Sequence, residues 1–287
     1  KMYFVVALLE TYPIVFMHGI SQNKEKVEPI IGWIREQFPD TKVINCEVGN
    51  GAQDSIFLTI KDQVEELSAC INNDKETKDG FVAMGYSQGG YLLRHYIQMY
   101  NHVRAPAKRF IGISSPVGGF FCGVLEGCYG IGVLPEILQY LEPTLIYSDF
   151  VQHWIGAVNY WRDPYQPEMF LESALDLPSL DNIRDFDMQK KINFMSVDMY
   201  VLFGSPKDGA ITPWKSAFFG HYGKNDEEIL NYWERPDFSA DNFGLKSMHD
   251  QNRIKTFETP FGHLEYYRSQ AKQYMIENVI PWAVLIK

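Results

Sequence analysis

The pentapeptide Gly85-Tyr86-Ser87-Gln88-Gly89 limits the folds open to this chain more than any other segment. The apolar residues Phe81–Met84 before it predict a buried strand, and residues Gln88–Tyr100 after it predict a helix. A serine between two glycines at a strand-to-helix turn is typical of a nucleophile elbow, in which a strained backbone exposes the hydroxyl group. The sequence therefore predicts a nucleophilic serine, Ser87, at the edge of a sheet.

Short apolar segments alternate with helical patterns on both sides of this motif. Helices are predicted at Val27–Phe38, Ser55–Asn72, Gln88–Tyr100 and Leu264–Leu285. Strands are predicted at Tyr12–Met17, Thr41–Cys46, Phe81–Met84, Arg109–Ser114, Met199–Phe203 and Arg253–Phe257. Strands that alternate with helices form a mainly parallel sheet with helical crossovers. Together with the nucleophile elbow, this order predicts an α/β-hydrolase fold.

The alternation stops after the fourth predicted strand. Residues 117–193 contain glycines, prolines and short helical patterns, one of them at Leu134–Leu141. We interpret this segment as a helical insertion, or cap domain, and residues 1–116 and 194–287 as the hydrolase core. Residues 1–11 are open to two interpretations, a secretory signal or a first strand or apolar arm.

Charge and composition exclude several classes of function. The chain has 287 residues, a net charge of −10 and a pI near 5.2, which argues against nucleic-acid binding and electrostatic docking on anionic membranes. No segment approaches the roughly 20 apolar residues of a membrane-spanning helix. The four cysteines form no CxxC motif and no histidine cluster accompanies them, so we expect neither a metal nor another cofactor. The oligomeric state stays open, with a monomer favoured.

The residues that would activate Ser87 follow it in the chain. In α/β hydrolases the acid and then the histidine come after the serine. His263 lies between the last predicted strand and the last predicted helix, whereas His221 and His249 lie in polar segments and are expected on the surface. Asp208 follows the fifth predicted strand. The sequence therefore predicts a triad in which His263 takes the serine proton and Asp208 orients the imidazole.

Hydrolysis through Ser87 also needs two hydrogen-bond donors for the oxyanion of the tetrahedral intermediate. The backbone N–H of Gln88, at the start of the predicted helix, is one candidate. The N–H of Ile20, in the loop after the first predicted strand, is the other. His18 in the same loop is expected to brace it through hydrogen bonds rather than to act in catalysis.

Several ordered motifs resemble those of the palmitoyl-protein thioesterases. They are Val15–Gly19, Ala83–Gly90, Tyr160–Pro164, Phe218–Tyr222 and Gly262–Leu264. The resemblance extends from Pro13 to about Trp282. It implies hydrolysis of the thioester between a long fatty acyl group and a protein cysteine, with S-acylated proteins or peptides and acyl thioesters as partners. It also implies a lysosomal or secreted location.

The resemblance maps the triad and the oxyanion donors onto the residues already identified, and it implies that the insertion forms an acyl groove. Candidates for the groove are Trp154, Tyr160, Trp161, Phe170, Ile131 and Leu134, for which ordinary packing inside the insertion is the alternative. Cys122 and Cys128 lie near a disulfide of the family, and their six-residue separation in a glycine-rich loop predicts a bond between them. The pairing of Cys46 and Cys70 stays open.

Two other functions remain open. A carboxylester lipase or esterase uses the same triad, because thioester and ester carbonyls fit one oxyanion hole. A lipid-binding homologue that has lost catalysis is of a different class, and the presence of all three triad residues argues against it.

Overall fold

The computed structural model describes residues 10–123, 128 and 140–287. The strands are β1 Ile14–Met17, β2 Val43–Cys46, β3 Phe81–Tyr86, β4 Ala107–Ile113, β5 Tyr200–Gly204, β6 His221–Tyr222, β7 Ile229–Leu230 and β8 Ile254–Glu258. Six of them form one parallel sheet in the order β2-β1-β3-β4-β5-β8, and β6 pairs with β7 separately. All the predicted strands lie in the six-stranded sheet, which confirms the predicted fold class.

Helices cover both faces of this sheet. They are α1 Glu28–Gln37, α2 Asp54–Phe57, α3 Ile60–Asn73, α4 Gln88–Tyr100, α5 Pro143–Ile146, α6 Asp149–Trp154, α7 Pro167–Ser173, α8 Leu177–Leu180, α9 Met188–Ser196, α10 Leu245–Asp250, α11 Lys272–Tyr274 and α12 Ile280–Ala283. Every residue of β1, β3 and β5 is buried, as expected for a parallel sheet covered on both faces. Within the described ranges, every helix is too short or too polar to cross a membrane.

The predicted helix Ser55–Asn72 is two helices in the structure. α2 ends at Phe57, and α3 begins at Ile60. The break occurs because the side chain of Thr59 caps α3, accepting a hydrogen bond from the N–H of Asp62. A capped start satisfies one of the backbone donors that a helix leaves unpaired, so the second helix begins afresh at this point.

The closing helix is shorter than the predicted Leu264–Leu285. Two 3₁₀ turns come first, and the helix starts only at Lys272. It then widens into a π-helical segment, Met275–Val279, just before Pro281. Because proline supplies no backbone N–H and its ring crowds the preceding turn, a regular α-helical bonding pattern does not run through this region.

The segment between β4 and β5 carries the five short helices α5–α9 in the part of the chain that the structure describes. The predicted helical segment Leu134–Leu141 lies almost entirely outside the described residues. A buried ion cluster ties this segment to the rest of the molecule. Asp181, which follows α8, lies 2.6 Å from Arg94 of α4, 2.7 Å from Arg235 and 3.1 Å from Arg162. The division into a hydrolase core and a cap stays a prediction.

Two disulfide bonds join Cys46 to Cys70 and Cys122 to Cys128. The second bond is the one predicted from the sequence. The first ties β2 to α3, a pairing that the sequence left open.

The register of the sheet brings the carboxyl ends of its strands to one edge. Met17 of β1 pairs with Gly85 of β3, Gly85 pairs with Gly112 of β4, and Gly112 pairs with Leu202 of β5. The loops that follow these strands and β8 therefore leave the sheet on the same side. This edge carries the candidate site.

Candidate active site

Ser87 lies in the turn between β3 and α4, with φ 54° and ψ −132°. A positive φ strains a residue that has a side chain, and a nucleophile elbow requires this geometry. Glycines make the turn possible: a Cβ atom at Gly89 would lie 2.2 Å from the carbonyl oxygen of Met17, and one at Gly85 would lie 2.4 Å from the Cα of Gly90. The crossing of strand and helix is therefore too close for other residues at these positions.

The three residues predicted as a triad lie within hydrogen-bonding distance of one another. His263 Nε2 is 3.0 Å from Ser87 Oγ, and His263 Nδ1 is 2.9 Å from Asp208 Oδ2. All three side chains are at least nine-tenths buried. The serine follows β3, the aspartate follows β5 and the histidine follows β8, so the common edge of the sheet brings them together. This arrangement can move a proton from the serine hydroxyl to the imidazole.

Asp208 is held by four hydrogen bonds. Its Oδ1 accepts from the backbone N–H groups of Ala210 and Ile211, each at 2.9 Å, and its Oδ2 accepts from His263 and from the hydroxyl of Ser114. Burial alone would raise the pKa of Asp208, but the charge and hydrogen bond of His263 and the bonds from Ser114 and Ile211 outweigh it and lower that pKa. The carboxylate is therefore ionised at neutral pH and fixes the orientation of the imidazole.

Sequence reasoning missed Ser114 as a partner of this carboxylate. The residue has a positive φ of 48° just beyond β4, and its side chain is fully buried. The available signal was its place at the end of the fourth predicted strand. That strand ends on the same edge as the strands that carry the serine and the aspartate.

The loop that presents His263 is anchored from two directions. The hydroxyl of Tyr86, at the end of β3, donates to the backbone carbonyl of His263 at 2.6 Å, and the two rings lie 5.2 Å apart. The N–H of Gly262 donates to Glu265 Oε2 at 2.7 Å, which closes the turn. Tyr86 occupies the variable position of the elbow motif. Its place next to Ser87 did not indicate that its hydroxyl would anchor the loop of His263.

The two predicted oxyanion donors flank Ser87. Gln88 is the first residue of α4, and the first N–H groups of a helix have no partner within it. The loop after β1 packs against the elbow, because a Cβ atom at Gly19 would lie 2.9 Å from Ser87 Cβ. Ile20 follows in that loop and contributes to the cavity over Ser87. The assignment of these two N–H groups as donors stays a prediction.

A buried polar network, absent from the sequence predictions, joins both donor segments. The Gln88 amide donates to the carbonyl of Ser55 and to the side chain of Gln63, each at 2.8 Å, and it accepts from the Tyr160 hydroxyl at 2.7 Å. The Ser55 hydroxyl accepts from the N–H of Ser21 at 2.9 Å, in the loop that carries Ile20. The elbow, that loop, α2, α3 and the insertion are thereby tied to one another.

A small cavity of about 20 Å³ lies over the serine hydroxyl. Its lining is mainly apolar and includes, among the described residues, Ile20, Ser87, Pro116, Phe120, Ala157, Tyr160, Ala210 and Ile211. Tyr160, a groove candidate, is therefore brought to the site. Trp161 is buried behind it, with its ring 5.1 Å from that of Phe120.

Phe170 and Trp154 are not among the described residues that line this cavity. Phe170 is buried but lines a separate cavity of about 380 Å³, between residues 162–183 and residues 221–237. Trp154 is 59% exposed, because it lies on the outer side of α6, whose inward residues are Val151 and Gln152. A place for Trp154 in an acyl groove stays a prediction. Ile131 and Leu134 lie outside the described residues.

The surroundings of His18, His249 and His221 were also predicted from the sequence, and the prediction for His221 was wrong. His18 donates from Nδ1 to the carbonyl of Gly19 at 2.8 Å, as expected for a residue that braces its loop, and burial lowers its pKa. His249 is exposed, as predicted. His221 is not a surface residue: it is buried in β6, because its strand packs against the arginines that surround Asp181. Among the described residues, no group of three potential metal ligands comes together.

Comparisons with known proteins agree with this geometry. A family model described as "Palmitoyl protein thioesterase" matches residues 13–263. The protein named "Palmitoyl-protein thioesterase 3" from Dictyostelium discoideum is 30% identical over 277 residues, which cover 95% of this chain and 92% of that protein. The protein named "Lysosomal thioesterase PPT2 homolog" from Drosophila melanogaster is 28% identical, over 93% of this chain and 90% of that protein.

One solved structure concerns the fold alone. Lipase B from Aspergillus fumigatus superposes with a TM-score of 0.53 at 10% identity, over 98% of this chain and 55% of that one.

Proposed function

Because the chain belongs to the palmitoyl-protein thioesterase family, we propose that it hydrolyses thioesters between long-chain fatty acyl groups and protein cysteines. The observation that carries this proposal is the continuous hydrogen-bonded series from Ser87 through His263 to Asp208 at an apolar cavity. In this assignment Ser87 is the nucleophile, His263 the general base and acid, and Asp208 the orienting carboxylate. No metal or organic cofactor takes part in the steps proposed.

The first step forms an acyl-serine. Ser87 Oγ attacks the thioester carbonyl carbon while His263 Nε2, 3.0 Å away, accepts the hydroxyl proton. Asp208 stabilises the imidazolium that forms, without taking the proton itself. The negative charge on the carbonyl oxygen is stabilised by the backbone N–H groups of Ile20 and Gln88, which are fixed before the reaction begins.

The carbon–sulfur bond then breaks, which completes the acyl-serine, and the cysteine sulfur takes the proton from His263 as it leaves. A cysteine thiol has a pKa of about 8.5, so its sulfur is a good leaving group. The second step releases the fatty acid. A water molecule then gives a proton to His263 and attacks the acyl carbon. The bond to Ser87 Oγ breaks, the serine regains its proton, and the carboxylic acid departs.

The apolar cavity supports a fatty acyl substrate. Phe120, Ala157, Tyr160 and Ile211 surround the serine hydroxyl with hydrocarbon. Each methylene that is fully removed from water contributes about 0.8 kcal/mol, so an extended apolar wall selects for longer chains. Trp161, whose ring lies 5.1 Å from that of Phe120, remains a candidate for the wall beyond Phe120. Phe170 remains a groove candidate through the separate cavity that it lines.

We propose that the protein works in the lysosome or after secretion. Relatives carry "lysosomal" in their names. Two disulfide bonds, and no free cysteine, fit an oxidising compartment of the secretory pathway.

The experiment that tests this function compares two peptides of one sequence, one with palmitoyl-cysteine and one with palmitoyl-serine. We expect faster hydrolysis of the thioester, and a rate that rises from butanoyl to palmitoyl thioesters. Equal or faster hydrolysis of the oxygen ester, or a flat series of chain lengths, would instead identify a carboxylesterase.

A covalent probe separates an enzyme from a binding protein. A fluorophosphonate should label the wild type at Ser87 and should leave Ser87→Ala unlabelled. Absence of labelling in the folded wild type would contradict a catalytic role and favour an inactive lipid-binding protein.

A further inference from the structure

Three short helices near the cavity over Ser87 expose large apolar side chains. Phe150 and Trp154, one turn apart in α6, are 68% and 59% exposed, and their rings lie 5.8 Å apart. Leu145 of α5 is 45% exposed, and Phe57 of α2 is 49% exposed. We call these four residues the aromatic face. Exposed apolar groups of this size, grouped together, are characteristic of a contact surface.

The helices below this face are firmly attached to the protein. Ile146 and Val151 point inward and are buried. The buried amide of Gln152 donates to the carbonyls of Ile146 and Val158 at 3.0 and 3.1 Å. The outward residues of the same helices are therefore not exposed by loose packing. They are held outward by a fixed scaffold.

The aromatic face adjoins the candidate active site. Three residues after Trp154 the chain reaches Ala157, which lines the cavity over Ser87. A Cβ atom at Gly156 would lie 2.3 Å from the carbonyl oxygen of Leu58, so the segment after α6 is pressed against the end of α2. Phe57 on α2 and Trp154 on α6 thus flank one contact between the insertion and the core, beside the serine.

The charges near the face indicate which kind of partner it fits. Residues 140–160 contain no lysine or arginine, and their acidic residues are Glu142 and Asp149. Lys61, near the end of α2, lies beside Asp62 in a cavity that His153 also lines, so the surroundings of the face carry no net positive charge. Asp149 is paired with His153 at 3.2 Å. Attraction to anionic phospholipids needs basic residues, so such lipids are not favoured. Exposed tryptophan and phenylalanine beside a few polar groups instead suit the interface of a zwitterionic bilayer, where amphipathic rings partition.

We propose that the aromatic face docks on a zwitterionic lipid bilayer and thereby places the cavity over Ser87 against the membrane surface. The choice of a lipid partner rests on the proposed function. Fatty acyl groups on proteins insert into bilayers, so the thioester of a palmitoylated protein lies close to the membrane surface. A face that binds the same surface beside the nucleophile shortens the path of the acyl chain from lipid to cavity.

Flotation with phosphatidylcholine vesicles that contain no acylated protein tests the surface by itself. We expect the full chain to float with the vesicles, and Phe150→Ser to lower the partition coefficient about tenfold. Phe186→Ser is the matched control, because Phe186 is 59% exposed, close to the 68% of Phe150, but lies in the loop between α8 and α9. An equal loss in this control, or equal binding by the wild type and Phe150→Ser, would overturn the proposal.

Leu145→Ser provides a second variant if Phe150→Ser does not fold, and it should also weaken flotation. Self-association of the wild type through this face, detected by ultracentrifugation in place of vesicle binding, would likewise overturn the lipid assignment.

Two substrates separate this proposal from the proposed function. Phe150→Ser should hydrolyse a soluble butanoyl thioester at the wild-type rate but a vesicle-anchored palmitoyl peptide about tenfold more slowly. A loss of equal size on both substrates would contradict the docking role. Vesicle binding by a wild type that hydrolyses neither thioester would contradict the proposed function and support the surface.

Discussion

Two buried histidines lie in contrasting surroundings. His263 has a carboxylate oxygen of Asp208 2.9 Å from Nδ1 and the hydroxyl of Ser87 3.0 Å from Nε2. His221 donates from Nδ1 to the carbonyl of Tyr222, and its buried Nε2 has no hydrogen-bond partner in the described part of the chain. The two side chains are almost equally hidden from water, 5% and 6% exposed, so burial does not distinguish them.

The sign of the neighbouring charge does distinguish them. Burial, together with the guanidinium groups of Arg162 and Arg235, lowers the pKa of His221 well below its usual 6.5 and keeps the ring neutral. His263 instead faces an ionised carboxylate, which stabilises a positive imidazolium. A buried histidine is thus a candidate base only where an anion supports its cation and a hydroxyl lies within reach at a cavity.

The largest expected effect is on activity and comes from removing the Ser87 hydroxyl. This group lies within hydrogen-bonding distance of His263, and His221 has no such neighbour at its Nε2 in the described part of the chain. Ser87→Ala should lower kcat about 10⁶-fold, the size seen when a serine nucleophile is removed from a triad. The melting temperature should stay close to that of the wild type, because alanine fits the space of the serine. Turnover of a palmitoyl-cysteine peptide and thermal unfolding check both parts. His263→Ala should be about as damaging, and substantial activity in either variant would show that the assignment is wrong.

The carboxylate beside His263 should matter next. Asp208→Asn should lower kcat about 10⁴-fold, because an amide does not hold the required tautomer or stabilise the imidazolium. Asp198→Asn is the control, since that residue precedes β5 at the opposite end of the sheet. A loss below tenfold in Asp208→Asn would remove Asp208 from the mechanism.

The carboxylate at the centre of the arginine cluster should affect stability and not chemistry. Asp181→Ala leaves Arg94, Arg162 and Arg235 without their shared partner, and unpairing buried charges of this kind costs about 3–5 kcal/mol. Denaturant unfolding measures this cost, and activity per folded molecule should be retained. The control is Glu36→Ala, which removes an exposed pair with Lys272 and should change the free energy of unfolding by less than about 1 kcal/mol.

The smallest effect is the pH dependence that His221 contributes. Below pH 6.5 the unfolded chain binds a proton at this residue, whereas the folded chain, with its lowered pKa, does not. Acid therefore favours unfolding by up to about 1.4 kcal/mol per pH unit from this one group. Between pH 6.5 and 5, the free energy of unfolding should therefore fall by about 2 kcal/mol less in His221→Gln than in the wild type.

The exposed His249 is the matched control for this measurement. In His249→Gln, the free energy of unfolding should depend on pH as it does in the wild type. In His221→Gln, part of the pH dependence should persist, because burial also lowers the pKa of His18. An unchanged slope in His221→Gln would mean that His221 is protonated in the folded protein.

Chain order and local pattern were sufficient to predict much of this molecule. The apolar periodicity predicted the strands. The glycines on both sides of Ser87 predicted a sharp turn at which a strand and a helix cross closely. Because parallel strands end on one edge, Asp208 and His263 could be assigned from their positions after late strands. Such features depend on residues next to one another in the chain, or on a rule that all parallel sheets obey.

The partners that complete the site depend on segments far apart in the chain. The hydroxyl of Ser114 reaches a carboxylate 94 residues away, and the hydroxyl of Tyr160 reaches Gln88 over 72 residues. The burial of His221, which the sequence analysis expected on the surface, was also decided by packing. Periodicity specifies which side of an element is apolar. What covers that side, and which charges meet there, follows only from how distant segments pack together.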